Sequence, residues 1–343
     1  MIPHLELNQR ILIISDMHIG DGTRMDLFAG KDQLLVDFFD FAERHADVLI
    51  IAGDGVDLCQ AWSMDRIYAG HRALLDTLIE LAKQIPVYYI QGNHEGRPLD
   101  LAPWFPFQYH PVLQIGDGIR VEHGHRHDPY CQPGDEKAVR WVSLHSMIER
   151  LVGAPLRIPM RKHYEWSTRI GHWLFYRYGQ WQWLKAQAFN RLGLRKRAQA
   201  CLDFLDYFGR GEWGEMNLQL QAISEDLAAA PYEVLICGHA HQAGKVPLLG
   251  GLYVNSGSWT FDEATFVDVD HGTIEVKSWP SQQTIGDEQY RGILGPHRDK
   301  SFFEWWDTFC LGWLRYDVEA MHRAVRGEPA PSGIVGHHMY RNR

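Results

Sequence analysis

The chain has 343 residues, 45% hydrophobic and 22% charged, and carries a formal net charge of −9, a globular composition that can bury a large core. No stretch approaches the ~18 uninterrupted apolar residues of a membrane span, and the start, "MIPHLELNQR", has no basic region leading into a long apolar run, so a soluble, unexported protein is expected. The acidic balance argues against a generally basic nucleic-acid binder, and five cysteines without a CxxC pair suggest neither a disulfide framework nor a thiolate zinc site, which fits a reducing cytoplasm.

In chain order, "ILIISD" ends at Asp16, "VLIIAGD" at Asp54, "VYYIQGN" at Asn93 and "IRVEHGH" at His125. Between the first three lie "DQLLVDFFDFAERHA" and "HRALLDTLIELAKQI", with apolar residues at helical spacing. This alternation predicts parallel strands joined by right-handed crossovers. The pattern stops near Tyr130, and the sequence then turns helical and aromatic up to about Pro231. "VLICGHAH" resumes the strand pattern, followed by "LYVNSGS", "ATFVDVD" and "TIEVKSW", with "DHG" as a hairpin turn.

An α/β core over 1–130 and 231–280 is therefore expected, interrupted by a helical insertion over 131–230. A linker and amphipathic helix follow over 281–343, where Phe302, Trp306, Phe309 and Trp313 could share one face.

Each strand that ends in a polar residue ends in a potential metal ligand. Asp16 and His18 follow the first, Asp54 the second, Asn93 and His94 the third, His123 the fourth, and His239 and His241 the fifth. Strand C-terminal ends of an open parallel sheet share one edge, where ligands bind, so these scattered residues are expected to converge. Carboxylate, imidazole and one amide oxygen suit a pair of divalent ions such as Mn, Fe or Zn rather than calcium. Two such ions ~3.5–4 Å apart can share a carboxylate, and Asp54 is the natural bridge.

In order, "DMH", "GDGVD", "GNHE", "HGH" and "GHAH" resemble the signature of calcineurin-like metallophosphoesterases, over roughly Ile11 to Trp279. The resemblance implies a four-layer αββα sandwich with the helical insertion as a cap. It also implies two divalent metal ions, with Mn favoured over Fe or Zn. Asp16, His18, Asp54 and His241 would hold one ion, and Asp54, Asn93, His123 and His239 the other. A hydroxide shared by the ions would attack phosphorus in line.

His94 would face the scissile ester and protonate the leaving oxygen. Asp57 either orients His94 or caps a helix start, and His125, Arg126 and His127 stand either near substrate or in a solvated loop. Within the family, Leu58 occupies a position where protein phosphatases carry arginine, and "HGH" replaces their "HGG". The layout is more similar to the UDP-2,3-diacylglucosamine pyrophosphatase group, which implies a lipid-linked or nucleotide-linked phosphoester or pyrophosphate. That group carries arginine at the position of His94 and "HGD" for "HGH". A soluble phosphodiesterase, a protein phosphatase, a nuclease or a non-catalytic binding scaffold are the competing readings.

Between Leu151 and Ala200, ten arginines and lysines face one acid, Glu165, with aromatic residues interleaved. This mixture suits an anionic membrane surface and places the protein peripherally on the inner face of the cytoplasmic membrane. Nucleic acid could use the same mixture and ranks lower, because the charge is confined to one insertion.

Overall fold

The computed structural model describes residues 2–23, 26–95, 101–128, 147, 151, 166–210, 217–260 and 264–286. The aromatic segment around Phe302–Trp313 lies outside the described residues, as do the basic residues Arg157, Arg161 and Lys162.

The apolar run "RILII" forms β2 (Arg10–Ile14), following the short β1 (His4–Leu5). The other two predicted parallel strands are β3 (Val48–Ala52) and β4 (Val87–Ile90). Ile11 pairs with Val48 and Leu49 with Val87, so β2, β3 and β4 run parallel. The crossovers are α1 (Asp32–His45) and α4 (Arg72–Gln84), with the short helices α2 (Leu58–Ala61) and α3 (Met64–Gly70) before the second.

Such strands are apolar at consecutive positions because both their faces are covered. Leu12, Ile14, Leu49 and Ile51 pack in one core with Phe38, Phe39, Leu74 and Leu78 of the crossover helices. Their neighbours Ile11, Ile13, Val48 and Ile50 turn the other way, into a second core with Leu113, Val121, Ile236 and Val254. The second group comes from another sheet.

That sheet contains β6 (Leu113–Ile115), β7 (Ile119–Val121), β8 (Val234–Cys237), β9 (Gly244–Leu248) and β10 (Gly251–Asn255). Its order is β1-β6-β7-β8-β10-β9. The first sheet is completed by β5 (Gln108–His110), β11 (Thr265–Asp270) and β12 (Thr273–Ser278), in the order β12-β11-β2-β3-β4-β5.

Two six-stranded sheets thus meet across one apolar layer, with helices on the outer face of the first: a mixed α/β sandwich. The "DHG" turn does join the antiparallel pair β11 and β12, with His271 and Gly272 both at positive φ, as such a turn requires. One expectation changes: the fourth and fifth ligand-bearing strands, β7 and β8, belong to the second sheet, so the predicted strand ends share the edge of a sandwich rather than of one sheet. The strand predicted as "IRVEHGH" also stops at Val121, and His125–His127 form a 3₁₀ turn.

The chain divides into two compact units, 1–153 with 218–290 and 154–217 with 291–343. The first holds both sheets. It also holds nearly all of α7 (Asn217–Ala229), which the sequence pattern groups with the insertion. The second includes α5 (Trp166–Arg191) and α6 (Arg195–Arg210), joined by a tight turn at Leu192–Leu194. No helix among the described residues is long and apolar enough to cross a membrane.

Candidate metal centre

Each expected ligand loop leaves its strand within three residues. Asp16 lies just past β2, Asp54 past β3, Asn93 past β4, His123 past β7 and His239 past β8. Backbone hydrogen bonds stitch the loops together: Asp16 N donates to Gly53 O at 3.0 Å, His18 N to Asp54 O at 2.9 Å, and Gly238 N to His123 O at 3.0 Å. Asp16, His18, Asp54, His239 and His241 all have φ between +47° and +63°. Aspartate and histidine tolerate this left-handed region better than most residues, yet it costs about 1–2 kcal/mol for an L-residue. Five such positions in one site indicate that the surrounding structure holds them there.

The side chains form two groups joined by one carboxylate. In the first, His18 Nε2 is 3.1 Å from His241 Nε2, and His241 Nε2 is 3.1 Å from Asp16 Oδ1. In the second, Asn93 Oδ1 is 3.0 Å from both His123 Nε2 and His239 Nδ1. Asp54 Oδ2 stands between them, 3.7 Å from His18 Nε2 and 3.3 Å from His123 Nε2. Every residue expected as a ligand is therefore brought to one place.

Glycine permits this crowding. At Gly53 (φ +90°) a Cβ would collide with the His123 ring, and at Gly92 with the Asp54 carboxylate. The donor set fits divalent cations. Asp16 Oδ1 is buried without a hydrogen bond, and imidazole nitrogens and carboxylate oxygens converge with more lone pairs than hydrogens to share among them. Burial alone would raise the Asp54 carboxyl, but the surrounding imidazoles, His123 foremost, hold it well below the ordinary carboxylate range.

His94 adjoins this centre. Its ring meets that of His18 edge-on at 4.6 Å between centroids, its backbone N–H donates to Asp54 Oδ1 at 2.9 Å, and its Nδ1 is 3.1 Å from Asp57 Oδ1. Asp57 makes the contacts of both readings of its sequence position. The same Oδ1 accepts from Gln60 N at 2.8 Å and so caps α2, while Oδ2 lies 3.4 Å from His18 Nδ1.

The histidine-rich stretch divides. His125 lies by the centre, 5.3 Å from the His123 ring. Arg126 and His127 instead turn to Glu122, at 2.6 and 3.0 Å, and Arg126 also reaches Asp226 at 2.8 Å.

Several residues of the site carried no sequence signal of their own. Glu95, the last letter of "GNHE", is fully buried and accepts from Gly55 N at 2.5 Å, from Gly92 N at 2.7 Å and from the Tyr89 hydroxyl. It clamps the Asp54 loop to the Asn93 loop. Burial, and then the charge of Asp54, push its carboxyl up to about 8. Ser15, hydrogen-bonded to Asp16 and 2.6 Å from Ser256 Oγ, steadies the first ligand. Asn255 donates to Gly238 O at 2.7 Å beneath the "GHAH" turn. The "GNHE" motif contains Glu95 and the "LYVNSGS" strand contains Asn255 and Ser256, but neither pattern tells what these residues hold.

The sequence matches the description "Calcineurin-like phosphoesterase" over residues 9–243. No curated protein matches it in sequence. Among solved structures, the chain is similar to Yfce, a phosphoesterase from E. coli, at 12% identity and TM-score 0.36, covering 80% of this chain and 96% of that one. A dimetal phosphatase from Danio rerio gives 13% identity and TM-score 0.39 over 79% and 96%. A cold-active protein-tyrosine phosphatase of a psychrophilic Shewanella gives 12% and 0.38 over 83% and 82%. At such values nothing about substrate is carried across from these structures. The family match spans most of the chain and includes every expected ligand: the protein belongs to the calcineurin-like phosphoesterases and is a metal-dependent hydrolase of phosphoester bonds.

Proposed function

We propose that the chain hydrolyses a lipid-linked or nucleotide-linked phosphoester or pyrophosphate, with Asp16, His18, Asp54 and His241 holding one divalent ion and Asp54, Asn93, His123 and His239 the other. The observation that carries this reading is the position of Asp54 Oδ2 between the two groups, within 3.7 Å of His18 and 3.3 Å of His123. When bound, a pair of divalent ions neutralises phosphate oxygens and acidifies water. Manganese suits this mixed nitrogen and oxygen set.

The protein's own part is positional and protonic. With Nδ1 of His94 against Asp57 Oδ1, the Asp57 carboxylate accepts the Nδ1 hydrogen and favours the imidazolium, whose Nε2–H gives its proton to the leaving oxygen and leaves the ring neutral. His125 adds a second imidazole beside the reacting phosphate. Arg126 and His127 are already engaged by Glu122 and serve to hold that turn.

The substrate reading rests on the insertion. The turn between α5 and α6 exposes Leu192 and Leu194, at 72% and 41%, among Arg191, Arg195, Lys196 and Arg197. Exposed leucines flanked by cations suit an anionic lipid surface.

The test is turnover by the Mn-loaded protein of UDP-2,3-diacylglucosamine beside a matched UDP-sugar without acyl chains. A strong acyl preference yielding UMP is expected; equal rates on both would remove the lipid-linked substrate.

A further inference from the structure

His123 and His239 of the candidate centre share one arrangement, and His18 approaches it. A neutral imidazole has one N–H and one lone pair, so a ring that presents its lone pair to a cation must give its hydrogen to an acceptor on the far side. His123 turns Nε2 inward, 3.0 Å from Asn93 Oδ1, and its Nδ1 meets the main-chain oxygen of Ala52 at 2.9 Å. His18 turns Nε2 inward, 3.1 Å from His241, and its Nδ1 lies 3.4 Å from Asp57 Oδ2. His239 is reversed: Nδ1 faces inward, 3.0 Å from Asn93 Oδ1, and Nε2 is 3.0 Å from Asp128 Oδ2.

Asp128 ends the stretch whose histidines drew attention in the sequence. It is 5% exposed and follows the 3₁₀ turn His125–His127, where its N–H donates to His125 O at 3.1 Å. An ionised carboxylate only accepts, so it stabilises the Nε2–H tautomer of His239 and leaves the Nδ1 lone pair facing Asn93 and His123. An acceptor is needed here more than at His123, because His239 itself sits at φ +63° on a turn and its ring has no main-chain oxygen among its hydrogen-bond partners in the described residues.

Resting on the dimetal reading above, we infer that Asp128 is a positioning residue. It fixes the tautomer and ring orientation of His239 and thereby sets the affinity of the ion held with Asn93 and His123, leaving the ion held with His18 and His241 unaffected.

The test compares the full chain with Asp128→Ala, Asp128→Asn and His239→Ala. Mn is titrated into the metal-free proteins, and ring ¹⁵N spectra report the His239 tautomer. In Asp128→Ala, one of two ions is expected to bind roughly 10–100-fold more weakly while the other keeps its affinity. The weakened ion should be the one lost in His239→Ala. The His239 ring should change from a single Nε2–H tautomer to a mixture. Asp128→Asn, which keeps an acceptor oxygen, should recover part of the affinity.

Wild-type affinity for both ions in Asp128→Ala, or an unchanged tautomer there, would overturn the proposal. Equal weakening of both ions with a lowered melting temperature in both Asp128 variants would also overturn it, showing only a packing role. A wild-type chain that binds fewer than two ions would instead remove the dimetal reading, and this proposal with it.

Discussion

Single residues decide what this site can do, and many of them act through a hydrogen bond to a neighbour. Glu122, the neighbour of the candidate ligand His123, is the clearest case outside the ligand set. Its buried carboxylate accepts from Arg120 at 2.9 Å, Arg126 at 2.6 Å and His127 at 3.0 Å. Burial opposes ionisation, but His127 and Arg126 prevail and bring its pKa down from 4.5 to about 2. A carboxyl whose folded pKa is depressed contributes stability above its unfolded value and loses it as pH falls through the folded one. Glu122→Gln should therefore destabilise the metal-free protein by about 3 kcal/mol near neutral pH. The gap from wild type should close as pH drops from 4.5 toward 2. Urea unfolding across that range checks it, and a gap independent of pH would contradict the assigned ionisation.

The candidate ligands were legible because they are polar residues at or just past the end of an apolar run. Glu95 and Asp128 were not, because what marks them is contact through space: one meets the loops after β3 and β4, the other a histidine more than a hundred positions away.

Secondary-structure elements carried their own signals unequally. Runs such as "ILII" and "VLIIA" could be read as buried strands, and Leu74, Leu75, Leu78 and Leu81 as one face of a helix. The three-residue strands β5 and β6 were too short to leave a period. Strand pattern also could not say that β7 and β8 belong to another sheet, since two-sided burial looks the same in either.

The pair α5 and α6 is the element on which the proposed lipid contact depends. No acid lies between Glu165 and Asp203, and each cation near an anionic leaflet contributes about 1 kcal/mol. Neutralising Arg195, Lys196 and Arg197 together should weaken partition onto anionic liposomes by about two orders of magnitude while leaving hydrolysis of a small soluble diester intact. Equal liposome binding by this variant and wild type would remove the membrane reading.

At the scale of the whole molecule, the sandwich explains why candidate ligands spread from Asp16 to His241 come together in one place. Strands from both sheets end at the same edge, and glycines at 53, 92 and 238 let their loops close to contact. The aromatic segment after Pro280 has no assigned part in this. The ordered motifs gave the chemistry, since phosphoryl transfer needs fixed positions and fixed charge, whereas the substrate depends on surfaces that motifs do not encode.

The most direct measurement counts divalent ions per chain and turnover of a phosphodiester with a poor leaving group, on wild type, Asp54→Asn and His94→Ala prepared alike. The account predicts two ions in wild type, loss of ions and activity in Asp54→Asn, and two ions with turnover lowered about 100-fold or more in His94→Ala. Both ions and wild-type turnover in Asp54→Asn would contradict it.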